Sequence, residues 1–299
     1  MTSDEIAVLA NPSAGRGRHR DLLPGVVRRL AADGRAVRLL HAASGAEAEQ
    51  ASRAAVADGV AALVAVGGDG TIHHALQAVA GSEVPFGVVP AGTGNDFAAG
   101  TGVRGDVTEA AEAIAAALRD QRDHRIDLAR IDREGAAPRW FGAVLAAGFD
   151  AVVNERANRM RWPRGPRRYD LAIVLEMARL RPWVYELSLD GADHGFEGTL
   201  VAVGNCASYG GGMRIVPDAD PADGLLDVVV AEPLSRAALA RLKPKLRLGT
   251  HVTDPRVRVF RARRVRLHAE GIVGYADGER VGPLPLDVTC VPGAVRLLR

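Results

Sequence analysis

Two glycine-rich turns combine the residue types and spacing that could bind phosphate. The first reads Gly-Gly-Asp-Gly-Thr at residues 67–71, and the second reads Gly-Thr-Gly-Asn-Asp at residues 92–96. Glycine lets backbone N–H groups approach phosphate oxygens because no Cβ stands in the way, and a helix that follows adds the positive end of its dipole. The pattern predicts a phosphate-binding surface, with a merely tight turn as the plain alternative.

An aspartate inside the first turn needs its own explanation, because a carboxylate repels bare phosphate. Asp69 would suit a turn in which Mg²⁺ accompanies the phosphates. It would equally suit a turn in which the carboxylate holds neighbouring N–H groups or a ribose hydroxyl. The turn is neither a Walker A loop nor a Rossmann fingerprint, since neither motif is matched there. All three roles for the carboxylate stay open.

An acidic pair near the end of the chain could take a proton. Asp277 and Glu279 stand on either side of Gly278 in the stretch Tyr-Ala-Asp-Gly-Glu-Arg. A carboxylate within hydrogen-bond reach of an alcohol can accept its proton late in phosphoryl transfer, while a second one orients the substrate or meets a metal. The alternative is a hairpin turn with solvated charges, because Asp-Gly is a common hairpin sequence. We prefer Asp277 as the base, with Glu279 as the second candidate.

The elements that must position these residues form two domains of different texture. Residues 1–125 alternate apolar runs with helical patterns, which is typical of βαβ units and a mostly parallel sheet. Residues 126–290 are dominated by strand-like runs between turn residues, and about 291–299 could return to the first domain. Ligands of such folds bind beyond the carboxyl ends of the strands and between domains, so we expect the active site in the interdomain cleft.

Composition restricts the class of protein. The chain has 299 residues, 47% of them hydrophobic, and a net charge of +2, which fits a globular protein and is too mild to indicate a nucleic-acid partner. Its two cysteines form no metal or disulfide pattern, as expected in a reducing cytosol. We see no signal peptide and no bilayer-spanning run, so we expect a cytoplasmic protein that reaches membranes transiently.

A basic stretch is the candidate for membrane contact. Residues 156–168 contain Trp162 and six arginines, a combination typical of contact with anionic lipid headgroups. A solvated loop before the helix at Tyr169 is the alternative. A second charged stretch, PDADPADGLLD at residues 217–227, has aspartates that could bind a hard cation, although its spacing is not that of an EF-hand. A solvated acidic loop is the alternative there.

Taken together, these segments resemble the diacylglycerol kinase catalytic-domain family, which includes bacterial diacylglycerol kinases, YegS-type lipid kinases and sphingosine kinases. The resemblance runs nearly the whole chain and rests on residues 11–15, 67–71, 90–96, 147–153, 209–230, 249–251 and 277–279. It implies an α/β first domain like that of NAD kinases and phosphofructokinases, and a β-rich, sandwich-like second domain that takes the lipid. It also implies an ATP- and Mg²⁺-dependent enzyme that phosphorylates a lipid hydroxyl, with diacylglycerol to phosphatidic acid as the first choice.

The resemblance also assigns residues to roles. Asp277 and Glu279 match the family's catalytic acids. Asp220, Asp223 and Leu225 match the positions, side chain or carbonyl, around a structural Mg²⁺. His41 stands where the family often has a threonine that meets the nucleotide. The residues assigned to the nucleotide are Asn11, Pro12, Ser13, Ala14, Gly15, His41, Val66, Gly67, Gly68, Asp69, Gly70, Thr71, Ile72, Gly92, Thr93, Gly94, Asn95 and Asp96.

Two other functions remain as alternatives. One is a kinase of the same superfamily with a polar acceptor, such as an NAD kinase, against which residues 92–96 and the late acidic pair argue. The other is a non-catalytic nucleotide- or lipid-binding homologue, against which the intact acidic residues argue. Sphingoid bases and phosphatidylglycerol stay open as acceptors, and an edge strand of the second domain could pair in a homodimer.

Overall fold

The computed structural model describes residues 4–10, 18–160, 162–163 and 167–299, which divide into two compact units. The first unit comprises Met1–Leu128, Pro221–Gly224 and Val291–Arg299. The second comprises Ala129–Asp220 and Leu225–Cys290. The first is an α/β unit around a parallel sheet and the second is a β sandwich with three helices among its described residues, so the predicted fold class is confirmed.

The first unit is built on parallel strands in the order β2-β1-β3-β4. Its strands are β1 (Glu5–Ala10), β2 (Ala36–Leu40), β3 (Ala62–Gly67) and β4 (Phe86–Pro90). Its helices are α1 (Arg18–Leu30), α2 (Gly45–Ala57), α3 (Asp69–Val79), α4 (Asp96–Gly100) and α5 (Val107–Arg119). The central strand β3 is buried along its whole length, as expected for a strand covered on both faces. Because β3 and β4 are parallel, the turn from β3 to α3 and the turn from β4 to α4 lie at the same edge of the sheet.

The second unit packs two antiparallel sheets face to face. Its strands and helices are β5 (His124–Asp132, which begins in the first unit), β6 (Arg139–Phe141), β7 (Val144–Gly148), α6 (Phe149–Arg159), α7 (Arg167–Ala178), β8 (Trp183–Leu189), β9 (Ala192–Asp193), β10 (Phe196–Gly198), β11 (Leu200–Gly204), β12 (Leu226–Ala231), α8 (Arg236–Leu248), β13 (Val257–Ala262), β14 (Arg264–His268), β15 (Val273–Ala276), β16 (Glu279–Pro283) and β17 (Leu286–Leu298). One sheet has the order β13-β12-β11-β7-β15-β16, and β10-β8-β14-β17 are neighbours in the other. Leu145 and Val228 from the first sheet share a core with Leu187, Leu267 and Val288 from the second.

The structure differs from the sequence interpretation at several runs, one of which bears on the candidate site. The apolar stretch of residues 139–149 looks like a single strand, yet the chain leaves strand geometry at residues 142–143, between β6 and β7. The segment that follows is the helix α6, which the sequence interpretation did not include. It forms because Phe149, Val153 and Ala157 fall on one helix face and pack against Ala172 of α7.

A buried aspartate ties three segments of the first unit together. Asp127 is 4% exposed, and its carboxylate accepts the N–H of Gly224 on one oxygen and the N–H of Gly293 on the other, both at 2.7 Å. Its own N–H donates to the carbonyl of Pro221 at 2.7 Å. These hydrogen bonds explain why Pro221–Gly224 lies with the first unit, although the residues on either side belong to the second.

We expect Asp127→Asn to destabilise the protein, because an amide has one acceptor oxygen and would turn its NH₂ group towards an N–H. The free energy of unfolding should fall by about 2–3 kcal/mol, measured by urea denaturation. Asp190→Asn is the matched control, since Asp190 is exposed and accepts the N–H groups of Arg263 and Arg264. That variant should lose under about 1 kcal/mol. Equal losses would show that burial of the Asp127 carboxylate does not matter.

Candidate active site

The carboxylate of Asp69 joins the two glycine-rich turns of the first unit. Asp69 opens α3 directly after β3, and its two oxygens accept the N–H of Asn95 at 2.9 Å and the N–H of Asp96 at 2.7 Å. Asn95 is in the left-handed conformation with φ 58°, which brings these two successive N–H groups towards one carboxylate. Of the three roles considered for Asp69, the structure shows the one in which its carboxylate holds neighbouring N–H groups.

The glycines of the two turns are required because the turns touch backbone to backbone. A Cβ built on Gly68 would meet the Cα of Gly92 at 3.0 Å, and one built on Gly92 would overlap Gly68 and come within 2.8 Å of the Asn95 side chain. The Asn95 amide closes the second turn, because it accepts the N–H of Gly92 at 2.9 Å and donates to the Gly92 carbonyl at 3.1 Å. The result is a surface of main-chain atoms with almost no side chains.

The structure brings residues 67–71 and 92–96 together, as the phosphate-binding hypothesis requires. Within this group Thr93 is exposed. Val66 and Ile72 are each 1% exposed, so their side chains belong to the core and only their backbone atoms could meet a ligand. The predicted residues Asn11, Pro12, Ser13, Ala14 and Gly15 lie outside the described part of the chain.

A cavity of about 420 Å³ adjoins the ends of β1 and β2. Its walls are mainly apolar, and the exposed His41 and the carboxylate-bearing Glu47 contribute its polar groups. Glu47 accepts the N–H of Ala43 at 2.9 Å, which fixes the start of α2 beside the cavity. The position of His41 at the end of β2 thus gives it access to a space large enough for an aromatic base.

In the second unit, Asp277 lies in a two-residue hairpin turn between β15 and β16. Asp277 and Gly278 both have positive φ, 52° and 85°, as a type I′ turn requires. The carboxylate is not simply solvated, because it accepts the N–H of Gly142 at 3.0 Å and the N–H of Ala143 at 2.9 Å. Glu279 is half-buried and makes no side-chain hydrogen bond with any residue that the structure describes.

The loop that holds Asp277 is itself fixed from the other side. Asn205 is fully buried and donates its side-chain NH₂ to the carbonyl of Gly142 at 3.0 Å. The backbone N–H of Asn205 donates to the carbonyl of Ala143 at 2.8 Å. At the break between β6 and β7, the carbonyls of Gly142 and Ala143 therefore accept hydrogen bonds from Asn205, and their N–H groups donate to Asp277.

A second half-buried carboxylate, that of Asp150, stands at the start of α6. Tyr209 donates its hydroxyl to Asp150 at 3.2 Å, and the N–H of Ala151 donates to the same carboxylate at 3.0 Å. Burial raises the pKa of Asp150 to about 6, although these hydrogen bonds act in the opposite direction. Neither Asp150 nor Asn205 was among the sequence-derived candidates. Both follow directly after a buried apolar strand, and a polar residue in that position is the signal that could have found them.

The acidic segment has donors of the right chemistry for a hard cation. Asp220 and Asp223 are exposed and Leu225 offers a carbonyl, and oxygen donors of this kind are those that Mg²⁺ takes. Within the described ranges there is no cluster of three histidine, cysteine, aspartate or glutamate side chains that could hold a metal. The three residues fit Mg²⁺ in donor type, so this ion stays a prediction.

The basic stretch is divided between ion pairs and solvent. Arg156 pairs with Glu176 of α7, and Arg159 pairs with Glu155 one helical turn earlier. Arg161 and Arg164 lie outside the described residues. Trp162 is 77% exposed. Over the part of the chain that the structure covers, no helix has the length and apolar character needed to cross a bilayer.

Comparison with known proteins gives consistent matches along the chain. Residues 5–131 match the diacylglycerol kinase catalytic domain, and residues 143–299 match the YegS C-terminal NAD kinase beta sandwich-like domain. A protein named "Diacylglycerol kinase" from Mycobacterium tuberculosis (strain ATCC 25618 / H37Rv) is 42% identical over 296 residues, or 99% of this chain and 95% of that protein. One named "Probable lipid kinase YegS-like" from Stenotrophomonas maltophilia (strain K279a) is 33% identical over 267 residues, or 84% and 82% of the two chains.

Solved structures support the fold. A crystal structure of a diacylglycerol kinase from Bacillus anthracis str. Sterne aligns with a TM-score of 0.72 at 19% identity and covers 100% of this chain and 97% of that one. A second structure from the same organism reaches a TM-score of 0.80 at 21% identity, with 100% and 96% covered. The matches as a whole place the chain among the lipid kinases. More narrowly, the chain belongs to the diacylglycerol kinase catalytic-domain family, so the resemblance noted in the sequence is confirmed.

The raised pKa of Asp150 predicts a pH-dependent stability. The pKa of this carboxyl group is 3.8 in the unfolded chain and about 6 in the folded protein, so the folded protein binds the proton more tightly. The folded state is therefore favoured most below pH 3.8, and this contribution to stability is lost as the pH rises through 6. Asp150→Asn removes the charge. Relative to the parent, the variant should therefore gain about 2 kcal/mol of unfolding free energy between pH 4.5 and pH 8.

Urea denaturation at the two pH values measures this difference. Asp193→Asn serves as the control because it removes the same charge at an exposed position, and the pH dependence of Asp150→Asn is judged against it. A parent–variant difference for Asp150→Asn that is the same at both pH values would contradict burial of an ionisable Asp150.

Proposed function

We propose that the chain transfers the γ-phosphate of ATP to a hydroxyl group of a membrane lipid, with diacylglycerol as acceptor and phosphatidic acid as product. The observation that carries this proposal is the pair of glycine turns locked together by Asp69 at the carboxyl edge of the first sheet. The names of the relatives supply the lipid and the chemistry. The anchored acidic turn at Asp277 supplies a group that can take the hydroxyl proton.

The nucleotide would be bound by main-chain groups of the first unit. The first N–H groups of an α-helix have no carbonyl partner within the helix, so the start of α3 favours an anion. Gly70 and Gly94 carry no side chain that would compete with phosphate oxygens for these groups, and the exposed Thr93 would offer a hydroxyl to the same ligand. The cavity beside His41 would take the adenine base. In this arrangement Asp69 acts by holding the two turns in register.

The acceptor hydroxyl would be activated from the second unit. As the lipid oxygen forms its bond to the γ-phosphorus, the bond from that phosphorus to the bridging oxygen breaks and ADP leaves. The hydroxyl proton passes to a carboxylate, for which Asp277 is our first choice and Glu279 the second. The two N–H groups that donate to Asp277 hold its carboxylate in one orientation within the turn, which is what positions it for this role.

Mg²⁺ belongs to the proposal in two places. Bound to the triphosphate, it would offset the negative charge that develops on the transferred group. A structural ion would be held by Asp220, Asp223 and the carbonyl of Leu225, whose oxygen donors suit it. The neighbouring Pro221–Gly224 is already fixed by Asp127, so the role of this chain is to present those oxygens on an anchored segment.

A lipid panel tests the proposed reaction. The parent protein, Mg²⁺ and ATP should yield a phosphorylated product from dispersed diacylglycerol, identified by mass, with sphingoid base, phosphatidylglycerol and NAD as the other acceptors. Turnover with NAD alone would overturn the lipid assignment in favour of an NAD kinase-like activity. Absence of turnover with every acceptor would favour a non-catalytic homologue.

Two carboxamide variants identify the base. We expect Asp277→Asn to lower kcat by at least about 100-fold, because the variant has no carboxylate to take the proton. Glu279→Gln should lower kcat less, and Asp287→Asn, a half-exposed carboxylate on β17, should leave kcat unchanged. Full activity of Asp277→Asn would remove that residue from the mechanism. A larger loss for Glu279→Gln would transfer the base role to Glu279.

We further propose that α7 and the loop before it meet the membrane, which the protein would reach from the cytoplasm. This apolar–basic surface consists of Trp162, Arg167, Val174, Leu175 and Arg179, all exposed. Arg167 and Val174 are seven residues apart and so share one helix face. Exposed apolar side chains beside exposed arginines are suited to the interface of an anionic bilayer.

Vesicle sedimentation tests the apolar–basic surface. Trp162→Ala and Arg167→Gln should each weaken binding to phosphatidylcholine vesicles containing anionic lipid by at least about threefold, because each removes roughly 1 kcal/mol or more of interfacial attraction. Only the arginine variant should lose its effect at high salt. Leu248→Ala is the control, since Leu248 is 72% exposed at the last position of α8 and is not one of the residues that define this surface. Unchanged binding by both variants would contradict membrane contact through α7.

A further inference from the structure

One carboxylate of α6 bonds to both strands of the hairpin that carries Asp277 and Glu279. Glu155, in the middle of α6, accepts the hydroxyl of Tyr275 at 2.6 Å and the Nε–H of Arg280 at 3.1 Å on the same oxygen. Its other oxygen accepts an N–H of Arg159 at 2.6 Å. Tyr275 lies on β15 and Arg280 on β16, so one side chain of the helix reaches both strands of the hairpin.

The two donors flank the acidic turn. Tyr275 and Arg280 are paired directly across the hairpin, and the next pair, Ala276 with Glu279, closes the turn that contains Asp277. Asp277 is two residues beyond Tyr275, and Glu279 immediately precedes Arg280. Any movement of this donor pair relative to α6 therefore moves both acidic residues.

The ladder alone holds the hairpin weakly at this end. β16 is the last strand of its sheet, and β15 pairs with β7 only through Tyr275 and Ala276. The register shifts between Gly274 and Tyr275, so a bulge interrupts the pairing of β15 with β16 just before the donor pair. Bulges and edge strands are the parts of a sheet that deform most easily, which makes a side-chain tie at this point consequential.

The Tyr275 side of the tie is buried, its Arg280 side is half-exposed, and the tie has a fixed polarity. Tyr275 is 2% exposed and the Glu155 side chain 20% exposed, so water competes little for their hydrogen bond. The hydrogen bond from Tyr275 lowers the pKa of Glu155, while burial and then the hydrogen bond to Glu155 raise the pKa of Tyr275. An ionised acceptor and a protonated donor therefore face each other at neutral pH, and such charge-assisted hydrogen bonds are the strong ones.

We propose that Glu155 is a positioning residue for phosphoryl transfer. By holding Tyr275 and Arg280 to α6, it fixes the turn from which Asp277 or Glu279 takes the proton. The inference rests on the proposed function for its effect on catalysis. The attachment of the hairpin itself can be measured without activity.

Kinetics and amide hydrogen exchange test the attachment together. Glu155→Ala should lower kcat at least tenfold, because Glu155 positions the turn that carries the proposed base. KM for ATP should stay within twofold, because Glu155 is distant in sequence from the nucleotide-binding turns. Amide exchange in residues 273–281 should rise, whereas exchange in the core strands β11 and β12 should not. Tyr275→Phe should reproduce both effects in part, and Glu155→Gln, which keeps an acceptor oxygen, should restore part of the lost kcat.

The matched control is Glu232→Ala. Glu232 pairs with Arg258 and is distant in sequence from the hairpin, so this variant should keep parental kcat and parental exchange in residues 273–281. The double variant Glu155→Ala/Tyr275→Phe should lose less than the sum of the two single losses, since both changes remove the bond between Glu155 and Tyr275.

Three results would overturn the inference. Parental kcat and parental hairpin exchange in Glu155→Ala would show that the carboxylate positions nothing. Faster exchange throughout the second unit, with kcat and KM changed together, would show a general structural role. If the parent phosphorylates no lipid, the proposed function fails, but the attachment of the hairpin can still be tested by amide exchange. Unchanged exchange of residues 273–281 in Glu155→Ala would then refute the attachment independently of activity.

Discussion

Hydrogen bonds from pairs of backbone N–H groups to a single aspartate carboxylate hold the candidate residues of each unit in place. Asp69 holds the turn after β4 to the turn after β3, and Asp277 holds its hairpin to the break between β6 and β7. Peptide groups at turns and strand breaks have no partner in a helix or a ladder, and a buried N–H left unpaired is costly. One ionised carboxylate satisfies two of them with charge-assisted hydrogen bonds. Asp127 does the same for the segment that precedes Leu225.

Because of this arrangement, the same residues hold the fold together and line the candidate site. Removing the Asp69 carboxylate would release Asn95 and Asp96 and let two glycine turns separate, so a loss of activity would not by itself show contact with phosphate or metal. The glycines have the same double character. Gly68 and Gly92 are needed because two backbones meet there, and the surface without side chains that results is also the one that suits a phosphate group.

The parts of the fold that follow from local pattern could be predicted from the sequence, and the parts fixed by distant contacts could not. The alternation of apolar runs and helical patterns in the first unit predicts its parallel sheet, because periodicity is a local property. The break at Gly142 and Ala143 leaves no such trace. Its flanking residues are apolar, and what ends the strand is a carboxylate 134 and 135 residues further along the chain. The helix α6 was missed for a related reason, since its few buried residues need α7 to cover them.

The Asp-Gly hairpin shows how far local reasoning can go at a candidate site. A type I′ turn needs positive φ at both central residues, and Asp277 and Gly278 supply it, so the sequence is fully accounted for without any function. What distinguishes this turn is that its carboxylate is oriented by two N–H groups from another loop, whereas Glu279 has no comparable anchor among the residues described. Proton transfer favours a group held in one geometry, because the cost of orienting it is then met in folding rather than during the reaction. Of two carboxylates that look equivalent in the sequence, the anchored one is therefore the one we propose as the base.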